Sequence, residues 1–249
     1  MNRVKVGFFS FVEVTDPSEH HAYNEWHQFD HMPEQFQIPG VVFGERWVST
    51  PACTAARLAS AEQLAPIHYM ALYLMAEPVG PTLDQFQELG ARLGALGRFH
   101  RHRHSHLSGA WHFLQADAAR RVLVSPEVVP WRPAKGVYVI VEEPTDPPKD
   151  KSEIDRWILD VNTAHVPAML EVPGVVGVWS FGLSPVYRRD NWSPGRARIT
   201  VTWLDDDPVT VAKSLGPVVA RRWEDAPYRP LLAGPLEKVI PGEWSWFDD

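Results

Sequence analysis

A chain of 249 residues is long enough for one large domain or two of ordinary size, and 45% apolar with 22% charged residues suits a sizeable core. A net charge of −7 and a pI near 5.9 exclude a basic nucleic-acid surface, and a lone Cys53 excludes an internal disulfide framework. No apolar run approaches the ~20 residues of a membrane-spanning helix, and Met1-Asn2-Arg3-Val4-Lys5 lacks the apolar stretch of a signal peptide, so a cytoplasmic protein without a membrane partner is expected.

Residues 4–14 are rich in β-branched and aromatic side chains and predict a strand. Thr15-Asp16-Pro17-Ser18-Glu19 then offers a capping oxygen followed by proline, a helix start. That helix carries Trp26-His27-Gln28-Phe29-Asp30-His31-Met32-Pro33-Glu34. Pro33 cannot donate a backbone bond to Phe29, so a bend or stop is expected there. Pro39-Gly40 closes the segment, residues 41–48 predict a second strand, and the Ala-rich residues 49–66 a loop insertion with some helix. Residues 67–76 form a third strand. Residues 81–97 form a helix with Leu83, Phe86, Leu89, Leu93 and Leu96 at helical spacing, and residues 106–114 a fourth strand. The order over residues 1–115 is thus β-α-β-β-α-β, a ferredoxin-like unit, and residues 116–135, with Pro126, Pro130 and Pro133, form a connector.

Residues 136–249 repeat this order: a strand at 136–142, a helix at 150–171, a strand at 175–181, a polar loop at 184–195, a strand at 196–204, a helix at 208–223 and a last strand within 231–240. A shared frame exposes the duplication. His31-Met32-Pro33, five residues, then Pro39-Gly40-Val41-Val42 is matched by His165-Val166-Pro167, five residues, then Pro173-Gly174-Val175-Val176. A strand, a helix with Trp…His-x-Pro-Glu, then Pro-Gly and a strand resembles the dimeric α/β-barrel superfamily, particularly its EthD-like members. The resemblance rests on Trp26, His31, Pro33, Glu34, Pro39 and Gly40, and more faintly on Trp157, His165, Pro167, Pro173 and Gly174. It implies an α+β protein in which tandem ferredoxin-like repeats join their sheets into one intramolecular barrel. The superfamily includes cofactor-free monooxygenases, cyclases and isomerases, haem enzymes, and proteins without known chemistry, so the resemblance does not choose an activity.

His31 is the leading acid/base candidate, because imidazole titrates near neutrality and moves a proton without a cofactor. Asp30 adjoins it and Glu34 lies one turn on, so either carboxylate is placed to set its tautomer. The second copy keeps His165 but has Ala164 and Ala168 at the carboxylate positions, which suggests a charged site in the first half and scaffold in the second. A structural role, bonding a carbonyl freed by the proline, stays open for His31 and more so for His165.

Strand parity supplies the other candidates. Arg198, Thr200 and Thr202 alternate with Ile199, Val201 and Trp203. His106, Ser108 and His112 oppose Leu107, Trp111 and Phe113, while His68 falls with Met70 and Leu72. These polar residues either face one shared cavity or look to solvent at a sheet edge. In the first case Arg198 with His68 or His112 would stabilise oxyanion charge, and Trp26, His106, Ser108, Thr200 and Thr202 would bind substrate.

His27 and His31, four apart on a helix, with Glu34 as a third ligand, make a metal the alternative. The run from His100 to His106 is expected to be a solvated turn with only His106 entering the sheet. The expectation is a small-molecule enzyme without a bound cofactor, acting on a mostly apolar substrate bearing a carbonyl or hydroxyl by isomerisation, dehydration, cyclisation or cofactor-free oxygenation. A haem-dependent enzyme and a non-catalytic binding or assembly module are the alternatives. Outer helices or strand edges are left to pair a second copy into a homodimer.

Overall fold

The computed structural model describes residues 3–146, 151–224 and 227–248. The first repeat runs β1 (Val4–Val14), a 3-10 turn, α1 (His20–Trp26), a five-residue π-helical turn (His27–His31), α2 (Met32–Gln35), β2 (Val41–Val48), α3 (Pro51–Ala55), β3 (Ala59–Ser60), β4 (Tyr69–Ala76), α4 (Val79–Ala95) and β5 (Arg103–Ala118). Two 3-10 segments lead to the second repeat: β6 (Gly136–Pro144), α5 (Lys151–Asp160), a second π turn (Val161–His165), α6 (Val166–Leu170), β7 (Val175–Leu183), β8 (Arg198–Leu204), α7 (Pro208–Ala220) and β9 (Tyr228–Lys238). Among the described residues, no helix is long and apolar enough to cross a membrane.

The strands form one antiparallel sheet in the order β2-β4-β1-β5-β7-β8-β6-β9, and β9 returns to β2, so the sheet closes into a barrel. Each repeat keeps the ferredoxin-like order, and the fourth strand of each pairs with the second strand of the other. The two seams are unequal. Seven residue pairs join β5 to β7, whereas β9 meets β2 only through Trp47↔Lys238 and Val48↔Glu237.

Parity places the apolar set inside. Phe9, Phe11, Leu72, Trp111, Trp179, Phe181, Ile199 and Trp203 belong to one buried cluster that fills the barrel. Aromatic side chains bury the most area per residue, and together these pack the interior. Helices cover the other face. Val6, Phe8, Tyr73 and Met75 pack beneath α2 and α4, and Tyr138 and Ile140 beneath the helices of the second repeat.

Pro33 bends the first helix without ending it. The π turn before it lets the Met32 N–H reach the His27 carbonyl, an i→i+5 bond, and the helix continues to Gln35. One extra residue in the turn accommodates a ring that has no N–H to give, and the same device precedes Pro167.

Both Pro-Gly turns pack closely on the second helix of their repeat. A Cβ at Gly40 would fall inside the Thr82 side chain, and one at Gly174, where φ is +88°, would meet Val211 Cγ2 at 2.5 Å.

Candidate active site between the helices and sheet of the first repeat

The outer face of the first-repeat sheet and its helices enclose a cavity of about 380 Å³. Its floor is Phe8, Ser10, Ala71 and Tyr73, its walls are Trp26, His27 and His31 on one side and Phe86, Gly90 and Gly94 of α4 on the other, and Phe99 and Arg103 stand at one end. Gly90 and Gly94 meet no neighbouring side chain within contact distance beyond Phe99, so the small residues of α4 are what leave this layer open. The second repeat completes the enclosure. Its 184–197 loop crosses over, sets Trp192 edge-on to Phe8 with centroids 5.0 Å apart, and is held by Arg189 on Asp84 and by the Ser108 N–H on the Ser193 carbonyl.

His31 stacks on Trp26 at 4.8 Å and lies 5.4 Å from Phe99. Its Nδ1 is enclosed without a partner, which leaves Nε2 as the nitrogen open to the cavity. Burial, and then the charge of Arg103, push its pKa down to about 3, so the ring is neutral at physiological pH.

Behind it a relay runs through His27, whose Nδ1 lies 3.2 Å from the Tyr23 hydroxyl and whose Nε2 lies 3.3 Å from the Tyr73 hydroxyl. Either tautomer of His27 donates to one tyrosine and accepts from the other. Burial holds His27 neutral and raises both tyrosines.

The structure separates several of the expected site residues. Asp30 and Glu34 do not orient His31: both turn to Arg98, Glu34 at 2.8 Å, and the Trp26 indole donates to the Arg98 carbonyl at 2.7 Å. A guanidinium on the next layer outcompetes a buried imidazole for two surface carboxylates, because it gives each a charged hydrogen bond without desolvating it.

Nor do the polar strand residues share one cavity. Ser108 lines it, but His106 pairs with Glu13 at 2.8 Å, and His68 Nδ1 accepts from the Val14 N–H beside His20 and Phe247. His112 is exposed next to Tyr187. Arg198, Thr200 and Thr202 lie in the helix–sheet layer of the second repeat, where Arg198 sits 4.1 Å over Trp157 and Thr200 accepts from Arg222.

Arg103, Tyr23 and Tyr73 are the cavity residues that strand parity and helix spacing missed, whereas His27 was picked out, as a metal ligand. β5 carries a bulge between Leu107 and Ser105, with His106 as the extra residue. On the even parity of Ser108, Arg103 would point into the barrel. The bulge shifts the phase by one, so Ser105 and Arg103 face the helices instead. The arginine lies inside the His-Arg run that resembled a solvated turn. No local signal marks a bulge, since it is fixed by register against β1.

A metal does not fit these residues. Both nitrogens of His27 are engaged by tyrosines, Glu34 is on Arg98, and among the described residues no three His, Cys, Asp or Glu side chains converge as a metal cluster. Haem fits poorly for a related reason. His31 is the one cavity imidazole with an open nitrogen, and its Nδ1 lacks the anchoring hydrogen bond that a ligating histidine ordinarily makes.

No protein-family model matches the chain, and no curated protein matches its sequence. Solved structures do resemble it. A protein provisionally assigned as a chlorite dismutase superposes with a TM-score of 0.54 at 10% identity, covering 100% of this chain and 99% of the other. A variant chlorite dismutase from Candidatus Nitrospira defluvii gives 0.51 at 11% identity, over 95% and 92% of the two chains. A provisionally assigned monooxygenase from Fusobacterium nucleatum gives 0.50 at 10%, over 96% and 94%. These likenesses span both repeats and establish the fold alone.

Proposed function

From the dimeric α/β-barrel fold as premise, we propose that the protein is a small-molecule enzyme that works by acid/base chemistry in the first-repeat cavity, on a largely aromatic or otherwise apolar substrate bearing a carbonyl or hydroxyl. One observation carries this proposal: a neutral imidazole, His31, opens a ring nitrogen into an aromatic-walled cavity closed by a loop from the other repeat. Trp26, Phe8, Phe86 and Trp192 offer ring faces to a flat body. His31 removes a proton from an acidic C–H or O–H, and the Tyr73 hydroxyl, backed by His27 and Tyr23, donates to the oxygen on which charge develops. An enolate or phenolate so formed is the common starting point of isomerisation, dehydration with cyclisation, and cofactor-free oxygenation.

The test is deuterium exchange into a panel of ring ketones and phenols, followed by NMR. The wild type is expected to catalyse exchange, and His31→Ala to lose about 10²–10⁴-fold in rate. Exchange that survives His31→Ala unchanged, or a Soret band in the purified protein, would overturn the proposal.

A further inference from the structure

Proton transfer at His31 leaves two arginines without a role. Arg46, 1% exposed, donates from Nη2 to Asn24 at 2.8 Å and lies over the Tyr23 and Tyr69 rings, while its Nε and Nη1 are buried without hydrogen-bond partners. Arg103 lines the cavity 4.6 Å from the Phe99 ring centroid. Among the described residues, neither pairs with a carboxylate. The nearby acids are committed elsewhere: Glu13 to His106, Glu19 to His100, Asp30 and Glu34 to Arg98. Arg46 is buried and Arg103 half-buried; cations drawn out of water are ordinarily paired, because desolvating a charge with nothing opposite it is costly.

The second repeat serves as an internal control. Its helix–sheet layer also holds two arginines, and there the chain supplies a carboxylate, bonded to Arg222, while Arg198 rests on aromatic rings. Glu142 on β6, the strand equivalent to β1, accepts from Arg222 Nε and Nη2 and from the Trp223 indole, with Arg198 stacked alongside on Trp157. The matching face of β1 reads Val6, Phe8, Ser10, Val12 and contains no acid. That is the layer with the cavity. Where the chain provides a carboxylate the layer is filled; where it does not, the layer stands open beside a cation.

We propose that the ligand supplies the missing group: the cavity takes a carboxylate-bearing aromatic compound, its carboxylate on Arg103 and its ring among Trp26, Phe99 and Trp192. This proposal rests on the cavity being the substrate site but not on His31 being the base. It also supplies a link between binding and chemistry. A carboxylate on Arg103 cancels one of the charges that keep protons off His31, so the bound substrate raises the basicity of the imidazole.

Naphthoate and its uncharged isostere naphthamide test this, with binding read by tryptophan fluorescence and calorimetry on the full chain. The wild type should bind naphthoate at least about tenfold more tightly than naphthamide, since charge-assisted hydrogen bonds are about twice as strong as neutral ones. Arg103→Gln should abolish that preference, read as the ratio of the two affinities, while Arg103→Lys, which keeps the charge, should retain part of it. Circular dichroism establishes that each variant is folded. In an acid titration followed by ¹⁵N spectra, naphthoate but not naphthamide should raise the pH at which His31 takes up its proton.

Equal affinity for the two probes in the wild type, binding of neither, or a preference that survives Arg103→Gln overturns the proposal. The two proposals fail separately. A carboxylate preference with proton exchange intact in His31→Ala defeats the base alone. Loss of exchange in His31→Ala without a carboxylate preference defeats the anion site alone.

Discussion

At the residue scale the two repeats differ in how they neutralise charge. Glu142 and Arg222 are each 1% exposed at the side chain and share several hydrogen bonds, so neither can be removed alone without stranding the other. Glu142→Gln is expected to cost about 3–5 kcal/mol in urea unfolding, and a Glu142→Leu, Arg222→Met double variant to recover most of it. Histidines set the acid limit. Burial lowers His20 from 6.5 to about 4, so in the folded state it resists a proton that the unfolded chain accepts. Its contribution is therefore complete above about pH 6.5, is lost as pH falls toward 4, and levels off below. Melting temperature should drop across that window, and His20→Gln should flatten the slope whatever it does to stability at pH 7.

Single elements carry the closest tolerances. The repeated Pro-Gly turns are explained by helix approach: Gly174 combines a φ of +88° with a wall at Val211. Gly174→Ala should destabilise by about 1–3 kcal/mol, measurable by thermal unfolding, through both strain and overpacking. The 184–197 loop is a different case, because it contributes cavity surface from outside the first repeat. Trp192, half-buried against Phe8 and Phe86, makes contacts that a bound ring would share in ground and transition states alike. Trp192→Ala should raise KM with kcat nearly unchanged, checked by steady-state kinetics once a substrate is in hand.

For the molecule as a whole, the barrel joins two half-cores. Phe9, Phe11 and Trp111 of the first repeat share one buried cluster with Trp179, Phe181 and Trp203 of the second, and Phe9 meets Phe181 edge-on across the two halves. A fragment ending at Ala118 would expose that face together with the β5 edge. It is expected to associate or remain unfolded in size-exclusion chromatography and circular dichroism, not to fold as a monomer. With the interior so packed, the candidate cavity lies outside the barrel, in a helix layer. The two layers have diverged: the first is open under glycines of α4, and the second is packed with Trp157, Tyr228 and the Glu142–Arg222 pair.

The duplicated His-x-Pro and Pro-Gly frame, the alternation of the strands and the spacing of the helices were enough to specify two ferredoxin-like repeats, because these signals are local and recur at one offset; the closure of the two into one barrel was implied by the family resemblance and realised through strand pairing between the repeats. They also singled out Trp26, His27 and His31, which do line the cavity. Three things were decided only in three dimensions. Asp30 and Glu34 chose Arg98, an ion pair formed across more than sixty positions of chain, 68 in the case of Asp30. Arg103 entered the site through a bulge whose position depends on register against β1. Arg198, Thr200 and Thr202 face a helix layer separate from the cavity that Ser108 lines, because parity gives the face of a strand but not which helices cover it. Side-chain period is a property of the backbone and can be read along it; counter-charges, bulges and cross-repeat loops depend on partners distant in sequence.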